Sequence, residues 1–167
     1  MTAAEATGNI SFTIDFVGLG GLNGTQVTAT TDSSAVNFDK TNPTATAVSI
    51  ASNNATTTVA KNGDEITVSF TVDESLIAAP TATIQSQTAT VAVNGAHPNY
   101  TAKYTTVGGT TEGVLAFTLD FTDEAGNAAT QVTATTNASL VNFDNTAPTA
   151  TSVSIASNNA TTSVAKT

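Results

Sequence analysis

Two long segments of this chain are near copies of each other. Residues 26–39 read QVTATTDSSAVNFD, and residues 131–144, which lie 105 positions later, read QVTATTNASLVNFD. Aligned without a gap, residues 7–62 and 112–167 are identical at 36 of 56 positions, and the block VSIASNNATT recurs unchanged. Identity at this level indicates tandem copies, so whatever the chain folds into must be built as an array of repeats.

The repeat length of 105 residues divides the chain into three parts. We expect residues 1–40 to be the C-terminal part of one repeat, namely its last hairpin and linker. Residues 41–145 are then a complete repeat, and residues 146–167 form the first-strand segment of a following one. A complete repeat is long enough to bury its own core, whereas the partial copies are too short. We expect an excerpt from a longer array, whose partial copies lean on the central repeat or pair with another chain.

The charge balance argues against several classes of partner. Thirteen acidic residues, four lysines and no arginine give a net charge of −9. Nucleic acid and anionic lipid both require a basic surface, so neither is an expected partner. No apolar run approaches a membrane span, and the first residues lack the pattern of a signal peptide. Cysteine is absent, so we expect neither disulfides nor thiol chemistry.

Apolar and polar residues alternate in several segments, which is the pattern of a half-buried strand. In ITVSFTVD (66–73) and LAFTLDFT (115–122) every second residue is apolar. Threonine occupies 36 of 167 positions, and it disfavours helix and suits strands. Segments rich in Gly, Asn, Asp and Pro separate these runs, as turns require. About seven strands are predicted in the central repeat. They lie near 47–51, 65–73, 82–85, 89–93, 100–106, 114–122 and 129–135.

Short strands joined only by turns predict an all-β fold. About seven of them within one repeat favour an immunoglobulin-like antiparallel β-sandwich, with a small β-barrel as the alternative. The alternation also predicts a set of core aromatic residues. This set consists of Phe12, Phe16, Phe70, Phe117 and Phe121.

The repeated segments resemble a known family of modules. FDNTAPTATSVSI (143–155) and its twin FDKTNPTATAVSI (38–50) resemble the linker and first strand of bacterial Ig-like repeats. FTLDFTDEAGNAATQVTATT (117–136) is similar to their last hairpin. Such modules are strung in many copies along large bacterial surface adhesins. The resemblance spans the central repeat and both partial ones. It implies a secreted spacer module, often stiffened by calcium, that holds a binding tip away from the cell.

Five acidic residues are candidate ligands for a hard cation. In an immunoglobulin-type sandwich the linker acid Asp39 enters at the same pole as two turns. One turn contains Asp73 and Glu74, and the other contains Asp123 and Glu124. Converging carboxylates and turn carbonyls suit Ca²⁺, which takes about six to eight oxygen ligands. The alternative is that each acid only occupies a solvated turn, as Asp commonly does.

The first copy lacks part of this acidic set. Its residues 18–22 read GLGGL where residues 123–127 of the central repeat read DEAGN. Both loop acids are lost, so a calcium site at this loop is expected in the central repeat only. Leu19 and Leu22 are expected to be exposed. They either contact a neighbour or are the result of sequence drift in a loop.

No catalytic constellation is recognisable. His97 is the only histidine, and it is expected to be a loop residue because no serine or cysteine nucleophile accompanies it. The glycine-rich run at 18–24 precedes no helix, which a phosphate-binding loop requires. Lys103 falls on the polar face of its strand, which disfavours an isopeptide bond with asparagine. We therefore expect a protein that is not an enzyme.

Three functions remain to be compared. A structural spacer of an extracellular bacterial surface adhesin accounts for the near-identical copies, which repeat arrays need for identical neighbour interfaces. A ligand-binding module needs an exposed aromatic platform, and only nine aromatic residues are present. The alternative to the spacer is an extracellular filament subunit, a homopolymer assembled by strand exchange between neighbouring chains. In either case the expected partners are neighbouring repeats of the same or another chain.

Overall fold

The computed structural model describes residues 7–95 and 98–165; the predicted loop residue His97 lies outside them. Within these ranges the regular secondary structure is entirely β, which confirms the all-β prediction. No helix in the described part of the chain is long and apolar enough to cross a membrane. The described strands are β1 Gly8–Asn9, β2 Asn37–Phe38, β3 Ser49–Ser52, β4 Val59–Ala60, β5 Glu65–Thr71, β6 Thr81–Ile84, β7 Gln87–Thr88, β8 Thr90–Val93, β9 Asn99–Thr105, β10 Gly113–Val114, β11 Phe117–Asp120 and β12 Asn142–Phe143.

The largest sheet has the strand order β3-β5-β9-β8, and all of its neighbours are antiparallel. Its central strand β5 pairs with β9 along its whole length, from Glu65 opposite Thr105 to Thr71 opposite Asn99. Burial alternates strictly along β5, with each apolar residue buried and each polar residue half-buried. The period of two read from the sequence therefore corresponds to one face against the core and one toward solvent.

The facing layer contains the other strands of the central repeat. β11 pairs antiparallel with β6, and β7 pairs with the other edge of β6. β12 lies between β10 and β4, antiparallel to the first and parallel to the second. Single bridges between Leu119 and Val132 and between Thr122 and Ala128 join the following segment to β11. The strands thus form two layers, which makes the fold a β-sandwich.

One apolar core lies between the layers. It takes side chains from both, and the rings of Phe70 and Phe121 join the layers with centroids 6.5 Å apart. Tyr100 stacks on Phe70 at 5.5 Å. The buried apolar residues are Val48, Ile50, Ala60, Ile66, Val68, Phe70, Val72, Ala82, Ile84, Ala89, Tyr100, Ala102, Leu115, Phe117, Leu119, Phe121, Val141 and Phe143.

Isolated bridges replace the predicted strand at 129–135. At its end the chain bonds to the first strand of the repeat instead of continuing a ladder. The N–H of Thr136 donates to the carbonyl of Val48 at 2.9 Å, and its hydroxyl accepts from the N–H of Val48 at 2.9 Å. Three short strands that the alternation did not predict, β4, β7 and β12, complete the pairing.

Equivalent positions of the two copies differ in burial. Leu115, Phe117 and Leu119 are at most 6% exposed, whereas Ile10, Phe12 and Ile14, each 105 positions earlier, are 38% to 51% exposed. The predicted core role is confirmed for Phe70, Phe117 and Phe121, but it is wrong for Phe12 and Phe16. No strand in the described part of the chain covers them, because it contains a single set of β5, β6, β8 and β9.

The local geometry of the first copy is nevertheless that of the central repeat. Ile14 exchanges backbone hydrogen bonds with Val27, as Leu119 does with Val132. The side chain of Gln26 donates to Asp15 at 2.9 Å, matching the bond between the corresponding pair in the central repeat. Local hydrogen bonds therefore shape this hairpin without a covering sheet.

Asp64 holds together the turn between β4 and β5. It accepts hydrogen bonds from the N–H of Lys61, from the Lys61 ammonium and from the side-chain amide of Asn54, at 2.8–2.9 Å. The Lys61 hydrogen bond, followed by the one from Asn54, lowers the pKa of Asp64 from 3.8 to about 2. The ionised carboxylate is therefore the form that stabilises this turn.

We predict that Asp64→Asn lowers the thermal unfolding midpoint at neutral pH by several degrees. An acid whose pKa is lowered in the folded state stabilises the fold at pH values above its ordinary pKa. For Asp64 this stability is lost as the pH falls from 3.8 toward 2. The difference from the native chain should therefore shrink over that interval in melts followed by circular dichroism. Asp144→Asn makes the same charge change at an exposed site as the control, and a pH-independent difference would contradict the assignment.

Matched truncations should separate the two copies. Leu119→Ala removes a fully buried side chain and should cost about 2–5 kcal/mol of unfolding free energy. Ile14→Ala changes the corresponding exposed residue and should cost about 1 kcal/mol or less. Both values come from denaturant unfolding at low protein concentration. Equal losses would mean that the first-copy face is covered in solution.

Candidate metal site at the first junction

Three carboxylates meet where the first copy joins the central repeat. Asp39, Glu74 and Asp123 each offer an oxygen, and these oxygens all lie within 4.8 Å of one another. Asp39 and Glu74 are half-buried, and Asp123 is buried. They belong to the linker and to two different turns, so the sandwich gathers at one pole acids that are far apart in the chain.

Each acid is positioned by the end of a strand. Asp39 directly follows β2, and its Oδ1 accepts a hydrogen bond from the N–H of Thr41 at 2.9 Å. Glu74 lies three residues after the end of β5, and Val72 between them is buried. Asp123 opens the turn after β11, where its N–H donates to the carbonyl of Asn127 at 3.0 Å.

Asn127 organises the buried carboxylate. Its backbone N–H and its side-chain amide donate to the two oxygens of Asp123, both at 2.8 Å. The same amide donates to the carbonyl of Asp39 at 3.3 Å, which connects the turn to the linker. Burial raises the pKa of Asp123, but the hydrogen bonds from Asn127 and the turn N–H groups outweigh it, so the net pKa is lowered. This carboxylate therefore remains ionised at neutral pH.

Glu74 experiences the opposite balance. Burial raises its pKa above the ordinary 4.5, and the negative charges of Asp123, Asp39 and Asp73 raise it further. Like charges this close disfavour simultaneous ionisation unless a cation lies between them. The triad is thus a site of negative potential whose electrostatic cost a bound cation would remove.

The five predicted ligands are not equivalent. Asp73 is near the triad but is bonded elsewhere, because its oxygens accept from the N–H of Thr44 at 2.7 Å and from the Thr44 hydroxyl at 2.6 Å. These bonds, the hydroxyl first, lower its pKa, and they fix the start of the central repeat after Pro43. Glu124 is exposed and lines the cavity beside the triad. Whether any of the five binds a metal stays a prediction.

The space beside the triad suits a hydrated cation. The cavity has a volume of ≈ 250 Å³ and is lined by the triad together with Asn37, Ser75, Glu124 and Ala125. Carboxylate, amide and hydroxyl oxygens predominate, and they are the ligands of Ca²⁺. Two oxygens that each lie about 2.3–2.6 Å from one calcium ion are at most about 5 Å apart. The three carboxylate oxygens of the triad lie within 4.8 Å of one another, so they are close enough to share one ion. The residues present therefore fit calcium.

Sequence reasoning missed two residues of this site. The sequence pattern indicates only a turn at Asn127, whereas in the structure its side chain bonds both Asp123 and the linker. Thr44, which removes Asp73 from the triad, gave no signal because threonine is so common in this chain. The DEAGN motif itself was the available signal for Asn127, since asparagine four residues after aspartate closes such a turn.

Comparison of the chain with protein-family models, with curated proteins and with solved structures found no match.

We predict that Glu74→Gln raises the thermal midpoint of the metal-free protein at neutral pH by roughly 1–3 °C, because it removes a like-charge repulsion. An acid whose pKa is raised in the folded state stabilises the fold at pH values below its ordinary pKa of 4.5. That stabilisation is lost as the pH rises through the folded-state pKa. The gain should therefore be absent in acid. Melts in EGTA across this pH range test it, and a loss of stability at neutral pH would contradict the repulsion.

Proposed function

We propose that this chain is a structural spacer, part of a tandem array in a large extracellular adhesin of a bacterial surface. The observation that carries the proposal is the repeat together with its junction: a carboxylate from the linker of one copy meets two carboxylates from turns of the next. A spacer needs neighbouring modules that are alike and are held in a fixed relation. The near-identical copies and the carboxylates shared across the junction support this proposal.

An immunoglobulin-type connection of the strands is part of this proposal. If β3, β5, β6, β8 and β9 are strands A to E, the sheet order β3-β5-β9-β8 reads A-B-E-D, which is the order of one immunoglobulin sheet. Pairing of β11 with β6 then joins strands F and C in the other sheet. This correspondence supports the resemblance to bacterial Ig-like repeats found in the sequence.

The cation that we propose for the junction is calcium. Asp39 is the ligand from the linker, and Glu74 and Asp123 are the ligands from the central repeat. When bound, the ion supplies positive charge that offsets the repulsion among the three carboxylates. Asp39 would then be tied to two turns of the sandwich, and the linker at 38–43 would be stiffened more than the sandwich itself.

The second junction differs in its chemistry. Glu112 occupies the place of Thr7, and it accepts hydrogen bonds from the N–H of Asn145 at 3.0 Å and from the hydroxyl of Thr146 at 2.8 Å. In the first junction the hydroxyls of Thr7 and Thr41 are 3.5 Å apart. Junctions within one array thus need not be held by the same contacts.

A second candidate function is that of a filament subunit whose copies join by strand exchange. The exposed apolar side chains of the first copy favour it. So do Val153 and Ile155, which are 85% and 99% exposed although their counterparts Val48 and Ile50 are in the core. Exposed strands with an apolar face are templates for pairing with another chain.

Calcium should stabilise the full chain against heat. A ligand at about one hundred times its dissociation constant adds about 2.7 kcal/mol, which raises the midpoint of a domain of about 100 residues by roughly ten degrees or more. We expect this difference between melts in excess calcium and in EGTA. Glu74→Gln and Asp39→Asn should each reduce it strongly.

The chain offers a matched control. Asp32→Asn makes the same charge change at the position where the central repeat has Asn137, and both side chains accept from a serine N–H two residues on. This variant should retain the full calcium shift. Small-angle X-ray scattering provides a second readout, because a stiffened linker narrows the distribution of shapes. If the native chain shows neither a thermal shift nor a change in scattering, the calcium-stiffened spacer is wrong.

A further inference from the structure

The first copy has an open groove with an apolar floor. Its volume is ≈ 530 Å³, and Ile10, Phe12, Ala29, Ser34 and Val36 are among its lining residues. β2 pairs with β1 on one edge, and its other edge has no strand partner in the described part of the chain. The groove and the open edge lie in a hairpin whose own hydrogen bonds already match those of the central repeat.

The central repeat shows what fills the equivalent groove. There the volume is ≈ 210 Å³, and Leu115, Phe117 and Ser139 line it, each 105 positions after a lining residue of the first groove. Ile50 also lines it, and this residue comes from β3 rather than from the hairpin. The smaller groove of the central repeat is thus accompanied by the first strand of the same repeat.

Specific hydrogen bonds fix that strand in place. The N–H of Ile50 donates to the hydroxyl of Ser139 at 2.9 Å, and Val48 exchanges hydrogen bonds with Thr136, also at 2.9 Å. Farther along, β4 runs parallel to β12 and pairs Val59 with Asn142. In the first copy Ser34, Thr31 and β2 hold the positions of Ser139, Thr136 and β12.

A second copy of that first-strand segment occurs later in the chain. Residues 146–165 repeat 41–60, and Val153 and Ile155 are exposed. The loop that follows is already shaped: the N–H of Ser157 donates to the carbonyl of Thr162 at 2.9 Å, as Ser52 does to Thr57. This segment contains no charged residue, so docking against an acidic neighbour meets no direct repulsion. Preformed segments lose less entropy on binding.

We propose that residues 146–165 of a second copy of this chain dock on residues 7–39. Ile155 would fill the groove beside Phe12 and donate its N–H to Ser34, and Val164 would run parallel to the open edge of β2. The inference rests on the second candidate function, since it names the surfaces by which copies join end to end. It does not depend on calcium.

The proposed interface between residues 146–165 and 7–39 is small, so its test must detect weak association. Phe16 stays uncovered, because its counterpart Phe121 in the central repeat packs against Phe70 of β5 rather than against β3. Interfaces that bury little area belong to the weak class. Association is therefore expected only at high protein concentration, and covalent trapping is the appropriate measurement.

Since the chain has no cysteine, pairs can be introduced without background. Full-length Ser34→Cys and Ile155→Cys chains are mixed at high concentration under mild oxidation, and non-reducing gels report the heterodimer. Ser139→Cys with Ile50→Cys inside one chain calibrates the reaction. The control pairs Ser34→Cys with Ile77→Cys, since Ile77 is an exposed apolar residue outside both proposed docking segments.

The heterodimer should form well above the control mixture, and equal yields would overturn the proposal. A chain carrying both Ser34→Cys and Ile155→Cys should give linked dimers and longer species. If it instead closes on itself as a monomeric disulfide, the occupant is the same chain and the second-copy assignment is wrong.

Light scattering on chains without cysteine separates this interface from the filament function. Ile155→Asp should weaken self-association by about tenfold or more, because it places a carboxylate in an apolar groove, whereas Ile77→Asp should leave self-association unchanged. Self-association that Ile155→Asp does not affect would overturn the proposed docking but leave the filament candidate standing. If the native chain does not associate and no cross-link forms, both are wrong.

Discussion

The structure depends on packing between the apolar side chains of its two layers, which form one buried core. Their side chains alternate in the same period, so Phe70 of one layer can stack against Phe121, the residue that follows β11 in the other. Full burial of a side chain of this size is worth about 1.5–3 kcal/mol. The turns, the short strands and the acidic pole are all arranged around that contact.

The first copy shows the hairpin without a facing sheet. The hairpin of the first copy has the same hydrogen bonds and the same alternation as the central one, yet Phe12 and Phe16 are exposed. Hydrogen bonds along a hairpin determine its shape, but only a facing sheet removes its apolar side chains from water. The same hairpin is therefore part of a core in the central repeat and exposed to solvent in the first copy.

The acidic pole is a consequence of the same arrangement. Packing the two layers brings the end of β5, the turn after β11 and the linker together, and it half-buries charges that repel one another. Hydrogen bonds from Asn127 outweigh burial and lower the pKa of Asp123, whereas burial and the neighbouring negative charges raise the pKa of Glu74. The three carboxylates therefore repel one another at this pole. The cation that we propose there would offset that repulsion.

Much of the fold and part of the site could be predicted from the sequence. The repeat, the all-β class and the core positions of the central copy follow from periodicity, because alternation of side chains is a local property of a strand. The same pattern wrongly placed Phe12 and Phe16 in a core, since alternation gives no information about whether a facing sheet exists. The five acids were assigned to one pole, but the sequence could not rank them.

The tertiary structure decided which acids converge, because Thr44 engages Asp73 while Asp39, Glu74 and Asp123 point into one cavity. It also decided which copies of a repeated segment are buried. Strand alternation and turns depend on residues that are neighbours in the sequence. Burial and the distances between charges depend on residues that are far apart in the chain. For that reason nearly the same segment is buried in one copy, where Val48 and Ile50 lie in the core, and exposed in the other, at Val153 and Ile155.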